Sequence, residues 1–253
     1  MPLFKIGNFD EIGLSVSNIT HKNGKPAKSP GALNSVSIKE LSPDLVIPDI
    51  GIMKSKYAWS LYLKSITLFE SFEGLLNCIN PNNEIYFTAI AWDYSGKNPY
   101  IFPPTGVDLS STAVKMKNKQ KREFVGNGIQ LWPSQSVEGS LNVVIIVHEC
   151  DKDFNNLGQR LDDIHQAIEN STFAKLIKSI SANPIFSQVG AVTLAVNEVI
   201  GIIGKILKTN GDDYVDLFEG SFGTERPQTS GTTAYTHESS SIELEFFVND
   251  SSI

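Results

Sequence analysis

The chain is poor in cysteine and in positive charge, and it lacks the short motifs that announce a reaction. Among its 253 residues only Cys78 and Cys150 are cysteines, so a disulfide scaffold is excluded, while one bridge between the two is neither required nor ruled out. Lysine and arginine number 21 against 28 aspartates and glutamates, a net charge of -7. That balance argues against a broad nucleic-acid surface and turns attention to cations, proteins and lipid as partners. There is no G-x-S-x-G, no G-x-x-x-x-G-K-[ST] and no dinucleotide-binding glycine pattern, and His148-Glu149 lacks the second histidine of H-E-x-x-H. His148 and Cys150 would share a strand face, but a nucleophile and its base need an orienting third group, so a structural pair is the better reading. A non-enzymatic protein is expected. The N-terminus lacks the basic start and apolar run of a secretory leader, so the expectation is a soluble protein, cytoplasmic or exported by another route.

What the chain does have is a core. Hydrophobic residues make up 41% and charged residues 19%, with 12 prolines and 19 glycines spread along the sequence, the composition of an ordinary globular protein. Ile12, Leu14 and Val16 alternate as a half-buried strand that Asn23-Gly24 and Pro26 break, and a long loop with short strands is expected up to Pro48. Aromatic and β-branched residues from Tyr57 to Phe72 predict one or two strands. After the turn at Asn80-Pro81-Asn82-Asn83 come a strand from Glu84 to Trp92, another from Val114 to Phe124, and the clearest buried strand, Leu141 to Val147.

There the period changes. Leu157, Leu161, Ile164 and Ile168 fall on one helix face, and Phe173, Leu176, Ile177 and Ile180 on a second, with Ser171 placed to cap it. Apolar residues from Ile185 to Leu207 recur at alternating four- and three-residue steps up to the terminating Asn210-Gly211. The chain then returns to strands at Tyr214 to Phe222 and Ile242 to Val248, around a Ser/Thr/Gly-rich loop from Glu225 to Ser240. A β-rich start and end around a helical middle predict α+β architecture. The expected form is a single-domain antiparallel β-sandwich over 1–253, with a helical insert at about 155–210.

The insert is launched from the most acidic loop, Asp151-Lys152-Asp153-Phe154-Asn155, and ends at another, Asp212-Asp213. Its two junctions are therefore expected together at one end of the sandwich. Carboxylates at alternate positions of a curving chain converge on one hard cation, because calcium accepts several oxygens in flexible geometry. Asp162 stands where a helix-loop-helix calcium loop would place its last ligand, but Asn156 occupies the glycine position and a strand precedes the loop. A cap on the following helix explains Asp153 or Asn155 equally well, and both readings stand. Asp93, after the Glu84 strand, and Asp212 are further candidate ligands. Lys115, Lys117, Lys119 and Lys121 alternate and would share one strand face, suited either to phosphate head groups or to guarding a sheet edge.

A strand ending in Asp-x-Asp, with another aspartate in the loop after a separate strand, resembles the C-two family of calcium- and phospholipid-binding β-sandwiches. The resemblance implies that Asp151 and Asp153 are paired calcium ligands, that Asp93 is the ligand from the other loop, and that Lys115 to Lys121 form a lysine-rich strand facing anionic lipid. The leading expectation is thus a calcium-binding module that associates with an anionic membrane surface or a protein partner. Two alternatives are a membrane-active toxin that inserts its Ile185 to Leu207 segment, and a structural or adhesive module without metal. Gln188, Asn197, Glu198 and Lys205 interrupt that segment, which favours a buried helix over a membrane span.

Overall fold

A computed structural model describes residues 3–6, 52–70, 83–105, 114–149, 157–175, 177, 195–203, 213–226 and 228–249, with the backbone alone at 3–6, 83, 157–161 and 213. Among the described residues, eleven strands form two antiparallel sheets. They are β1 (Leu3–Ile6), β2 (Ala58–Leu68), β3 (Asn83–Trp92), β4 (Tyr100–Phe102), β5 (Val114–Met116), β6 (Lys121–Glu123), β7 (Ile129–Gln135), β8 (Ser140–Glu149), β9 (Asp213–Gly223), β10 (Gly231–Thr236) and β11 (Ser240–Asn249). The first sheet runs β1-β9-β8-β3-β4, with β5 continuing the β4 edge along β3. The second runs β10-β11-β2-β6, with β7 continuing the β6 edge along β2.

The two sheets pack face to face around Leu61, Leu63, Phe87, Leu141, Ile145 and Phe246. A second core lies on the other side of the first sheet. There Tyr86, Ile90, Trp92, Val144 and Ile146 meet Ile164, Ile168, Phe173, Val199 and Ile203. The architecture is therefore a β-sandwich whose helical insert forms a third layer on one sheet. Helix α1 (Leu157–Glu169) opens that layer, and residues 172–175 and 195–203 are also helical. Ring edges lock the layer down, since Phe173 meets Trp92 at 5.1 Å and 89°.

This layering explains the strand sequences. β8 is covered on both faces and every one of its residues is buried, so it reads as a continuous apolar run. β11 belongs to the second sheet, whose outer face is solvated, and alternates buried with half-buried residues, as period-two patterning requires.

Two expectations about the strands are corrected. Val114 to Phe124 is not one strand: it splits into β5 on the first sheet and β6 on the second, separated by a turn in which Lys119 takes φ 61°. The Glu225 to Ser240 loop contains β10, because its threonines are good strand formers and β11 supplies a template. β7 escaped notice because Pro133 interrupts its pattern, which an edge strand tolerates. Ser171 stands immediately before the helical residues 172–175, at the cap position expected for it, and its hydroxyl donates to the Ile168 carbonyl at 2.6 Å at the end of α1. The strand expected at Ile12 to Val16 lies outside the described residues, as do Cys78, Cys150 and most of the Ile185 to Leu207 segment.

Candidate functional site at the insert end

Register fixes what gathers at each end of the sandwich. Glu149, the last residue of β8, pairs with Asp213, the first of β9, and on its other side with Ile85 of β3. The chain leaves for the helical layer at one partner of this rung and returns at the other, so the two junctions of the insert are neighbours, as expected. Asp151, Asp153, Asn155 and Asp212 lie outside the described residues. Met116 pairs with Asn83 at the same end, which brings the 117–120 turn there as well.

Asp93 is elsewhere. Trp92 pairs with Asn142 and Ile85 with Glu149, seven residues apart along an antiparallel ladder, or about 24 Å at roughly 3.4 Å per residue. The expectation that Asp93 joins the Asp151 loop is therefore corrected: β3 and β8 run in opposite directions, so the end of one lies beside the start of the other. Asp93 is buried, and its carboxylate is already committed. Oδ1 accepts from the Ser95 amide at 3.1 Å and the Ser95 hydroxyl at 2.5 Å, and Oδ2 accepts from the Glu138 amide at 3.0 Å.

The lysine run does not form one face either. Lys115 on β5 pairs with Glu84 at 3.1 Å, and Lys121 on β6 pairs with Glu243 at 2.9 Å and Glu123 at 3.3 Å. Lys117 and Lys119 are exposed in the turn between the strands. The Lys121 contact raises that lysine's pKa and, as the largest cause, lowers that of Glu243. The Lys121 pairs and Lys64–Glu245, at 2.9 Å, form a solvated charge ladder on the outer face of the second sheet. The ladder borders an open groove of about 290 Å³ lined by Lys64, Glu123, Phe124, Gly126, Thr232 and Glu243.

The insert end also holds a polar cluster that sequence reading missed. Asp216, on β9, is buried at 1% exposure. One carboxylate oxygen is hydrogen-bonded to Nδ1 of His237, in the turn between β10 and β11, and the other accepts from the Ser240 hydroxyl at 2.5 Å. Burial is the largest influence on Asp216 and raises its pKa, with the Ser240 and His237 hydrogen bonds acting against it. Burial, and then the Asp216 charge, also raises Tyr214. The residue types are those of a hydrolytic triad, but the wiring differs: Ser240 donates to the aspartate and not to the histidine, so no hydroxyl is activated. The cluster ties the two sheets together. The three residues are separated in sequence by strands and a turn, and no local spacing marks them.

One rung away, His148 faces the helical layer with its ring stacked on Tyr86 at 4.7 Å. Neither ring nitrogen has a hydrogen-bond partner, and burial pulls the pKa down to about 3. It is neutral in the folded protein. Among the described residues, no group of three or more His, Cys, Asp or Glu side chains is arranged to hold a metal ion.

No family model matches the chain, and no curated protein matches it in sequence. The solved structures that align with it include two that set the scale of the likeness. One is human GIVD cytosolic phospholipase A2 in complex with an inhibitor and terbium chloride, at TM-score 0.33 and 6% identity, covering 80% of this chain and 18% of that one. The other is Drosophila C2-DSL-EGF1, at TM-score 0.30 and 9% identity, covering 75% of this chain and 65% of that one. The chain thus spans less than two thirds of either, and likenesses this distant carry no argument about its family. The fold itself defines the class: an antiparallel β-sandwich with a helical layer inserted between two central strands.

Proposed function

We propose that the protein is a non-enzymatic module that binds calcium through the acidic segments at the insert end and uses that end to approach an anionic membrane surface. The Glu149–Asp213 rung carries this reading. It joins directly to the segment holding Asp151, Asp153 and Asn155 on one side and to Asp212 on the other. These aspartates and the asparagine are the oxygen donors that a hard cation takes. Asp93 is not among them.

The mechanism is a reversal of charge. Without a cation the clustered carboxylates repel an anionic surface. Bound calcium would supply the positive charge that masks them. Lys117 and Lys119, exposed on the turn at the same end, then face the surface, each contributing about 1 kcal/mol near anionic head groups. Lys115 and Lys121 contribute less, because their charges are met by Glu84 and Glu243.

Calorimetry with calcium on the wild type and on the double variant Asp151→Ala with Asp153→Ala is the test, followed by sedimentation with phosphatidylserine vesicles. Calcium binding that the double substitution abolishes, and calcium-dependent sedimentation that Lys117→Ala with Lys119→Ala weakens, are the expected results. No binding, or binding unchanged by the aspartate substitutions, overturns the reading. No observation favours the toxin alternative: Val199 and Ile203 are packed in the core beneath the helical layer. Among the described residues no helix is long and apolar enough to cross a membrane.

A further inference from the structure

Sheet edges present unpaired backbone groups, and proteins usually blunt them with charge, proline, bulges or brevity. Among the described residues, three of the sheet edges are blunted. β1 has four residues. The β4–β5 edge is two three-residue strands separated by a stretch that begins Pro103-Pro104. The β6–β7 edge carries Lys121, Arg122, Glu123 and Pro133. β10 differs. Its six residues, Gly-Thr-Thr-Ala-Tyr-Thr, contain no charge and no proline, and five of the six are exposed. It ends its sheet, with β11 on one side and, among the described residues, no strand on the other.

The direction of its free groups follows from register. The His237 amide donates to the Ser240 carbonyl at 2.9 Å, and bonded pairs alternate along an antiparallel ladder. The unbroken pairing Tyr235–Ile242, Thr233–Leu244 and Gly231–Phe246 therefore uses the backbone groups of those β10 residues. Thr232, Ala234 and Thr236 point their N–H and C=O outward.

We propose that this edge joins two copies of the chain, β10 against β10, in antiparallel register centred on Ala234. A two-fold axis normal to the sheet keeps each face on its own side, so it pairs residues of like parity. Centred on Ala234, it sets Thr232 opposite Thr236, Thr233 opposite Tyr235, and Ala234 opposite its own copy. All the outward groups of 232, 234 and 236 then find partners. Small alanines meet on the axis, and threonine pairs flank them, a favourable cross-strand combination. Charge also permits the contact, although each copy carries a net -7. β10 itself is neutral, and the acidic residues of the next strand, Glu243 and Glu245, are paired with Lys121 and Lys64. Six residues make a small interface, so the dimer is weak and forms at high concentration.

Sedimentation equilibrium of the full chain, from micromolar to millimolar and at about 0.15 M salt to screen long-range repulsion, tests the proposal. The wild type is expected to dimerise reversibly. Ala234→Lys sets two like charges against each other on the axis and should weaken association at least about tenfold, with circular dichroism unchanged. Ala234→Glu should do the same. An equimolar mixture of the two variants should recover dimerisation, because the register sets lysine against glutamate. A wild type that stays monomeric throughout overturns the proposal and leaves the edge to a strand of another protein. A dimer indifferent to Ala234→Lys, or a mixture that does not recover, overturns the pairing through Ala234.

Discussion

The carboxylate of Asp216 on β9 and Nδ1 of His237 in the β10–β11 turn are hydrogen-bonded across the gap between the two sheets. Ser240 donates to the same carboxylate from the second sheet. Removing the shared acceptor leaves two donors in or near the core without a partner, and each such loss costs about 1–3 kcal/mol. Asp216→Ala is therefore expected to lower unfolding free energy by about 3 kcal/mol in urea titration. A loss below about 1 kcal/mol would show that the two sheets do not depend on this contact.

His148 makes the protein acid-sensitive. Burial lowers its pKa from 6.5 to about 3, so the unfolded chain takes up the proton first as pH falls. Stability contributed by the neutral ring is fully present above about pH 6.5 and is lost progressively down to about pH 3. Between pH 6.5 and 5 the loss is about 2 kcal/mol, at 1.36 kcal/mol per unit. His148→Phe keeps a ring against Tyr86 and cannot protonate. Denaturant midpoints at pH 7 and pH 5 should therefore converge in the variant relative to the wild type. Equal acid sensitivity in both would assign the effect to other groups.

How much of this was legible in the sequence depended on whether burial leaves a periodic trace. The unbroken apolar run of β8 and the strict alternation of Ile242, Leu244 and Phe246 announced a doubly covered and a singly covered strand. The period change at Leu157 announced the helical layer. β10 left no such trace, since an exposed edge strand buries little and its composition is that of a loop. Asp93 was misassigned because an aspartate after a strand looks the same whether it meets a metal or the amides of its own turn. The lysine run failed for a related reason. Alternation predicts a shared face only if the chain stays in one strand, and the turn at Lys119 moves it from one sheet to the other.

That crossover continues into the break between β6 and β7, where Gly126 and Gly128 both take positive φ, 69° and 83°. A Cβ at Gly126 would meet nothing within 4 Å, whereas one at Gly128 would sit 2.4 Å from the Leu63 carbonyl oxygen. Gly126→Ala is expected to cost only the left-handed backbone penalty, about 1–2 kcal/mol. Gly128→Ala adds a backbone clash and should cost clearly more, displacing β7 from β2. Thermal or urea unfolding of the two variants side by side measures the difference. Equal losses would mean that the β2 backbone yields without resistance.

Asp93 separates the structural carboxylates from the proposed ligands. Its side chain accepts three hydrogen bonds that fold the 93–95 turn against Glu138, at the end of the sandwich opposite the insert junctions. Asp93→Ala should lower stability by about 2 kcal/mol, as expected when buried donors lose their acceptor, and should leave calcium affinity unchanged. Asp151→Ala should show the reverse, with calcium binding lost and stability without calcium little altered. Calorimetry and urea unfolding on both variants form a two-by-two comparison. If Asp93→Ala weakened calcium binding as much as Asp151→Ala, the two loops would have to meet, and the register of β3 against β8 that keeps them apart would be wrong.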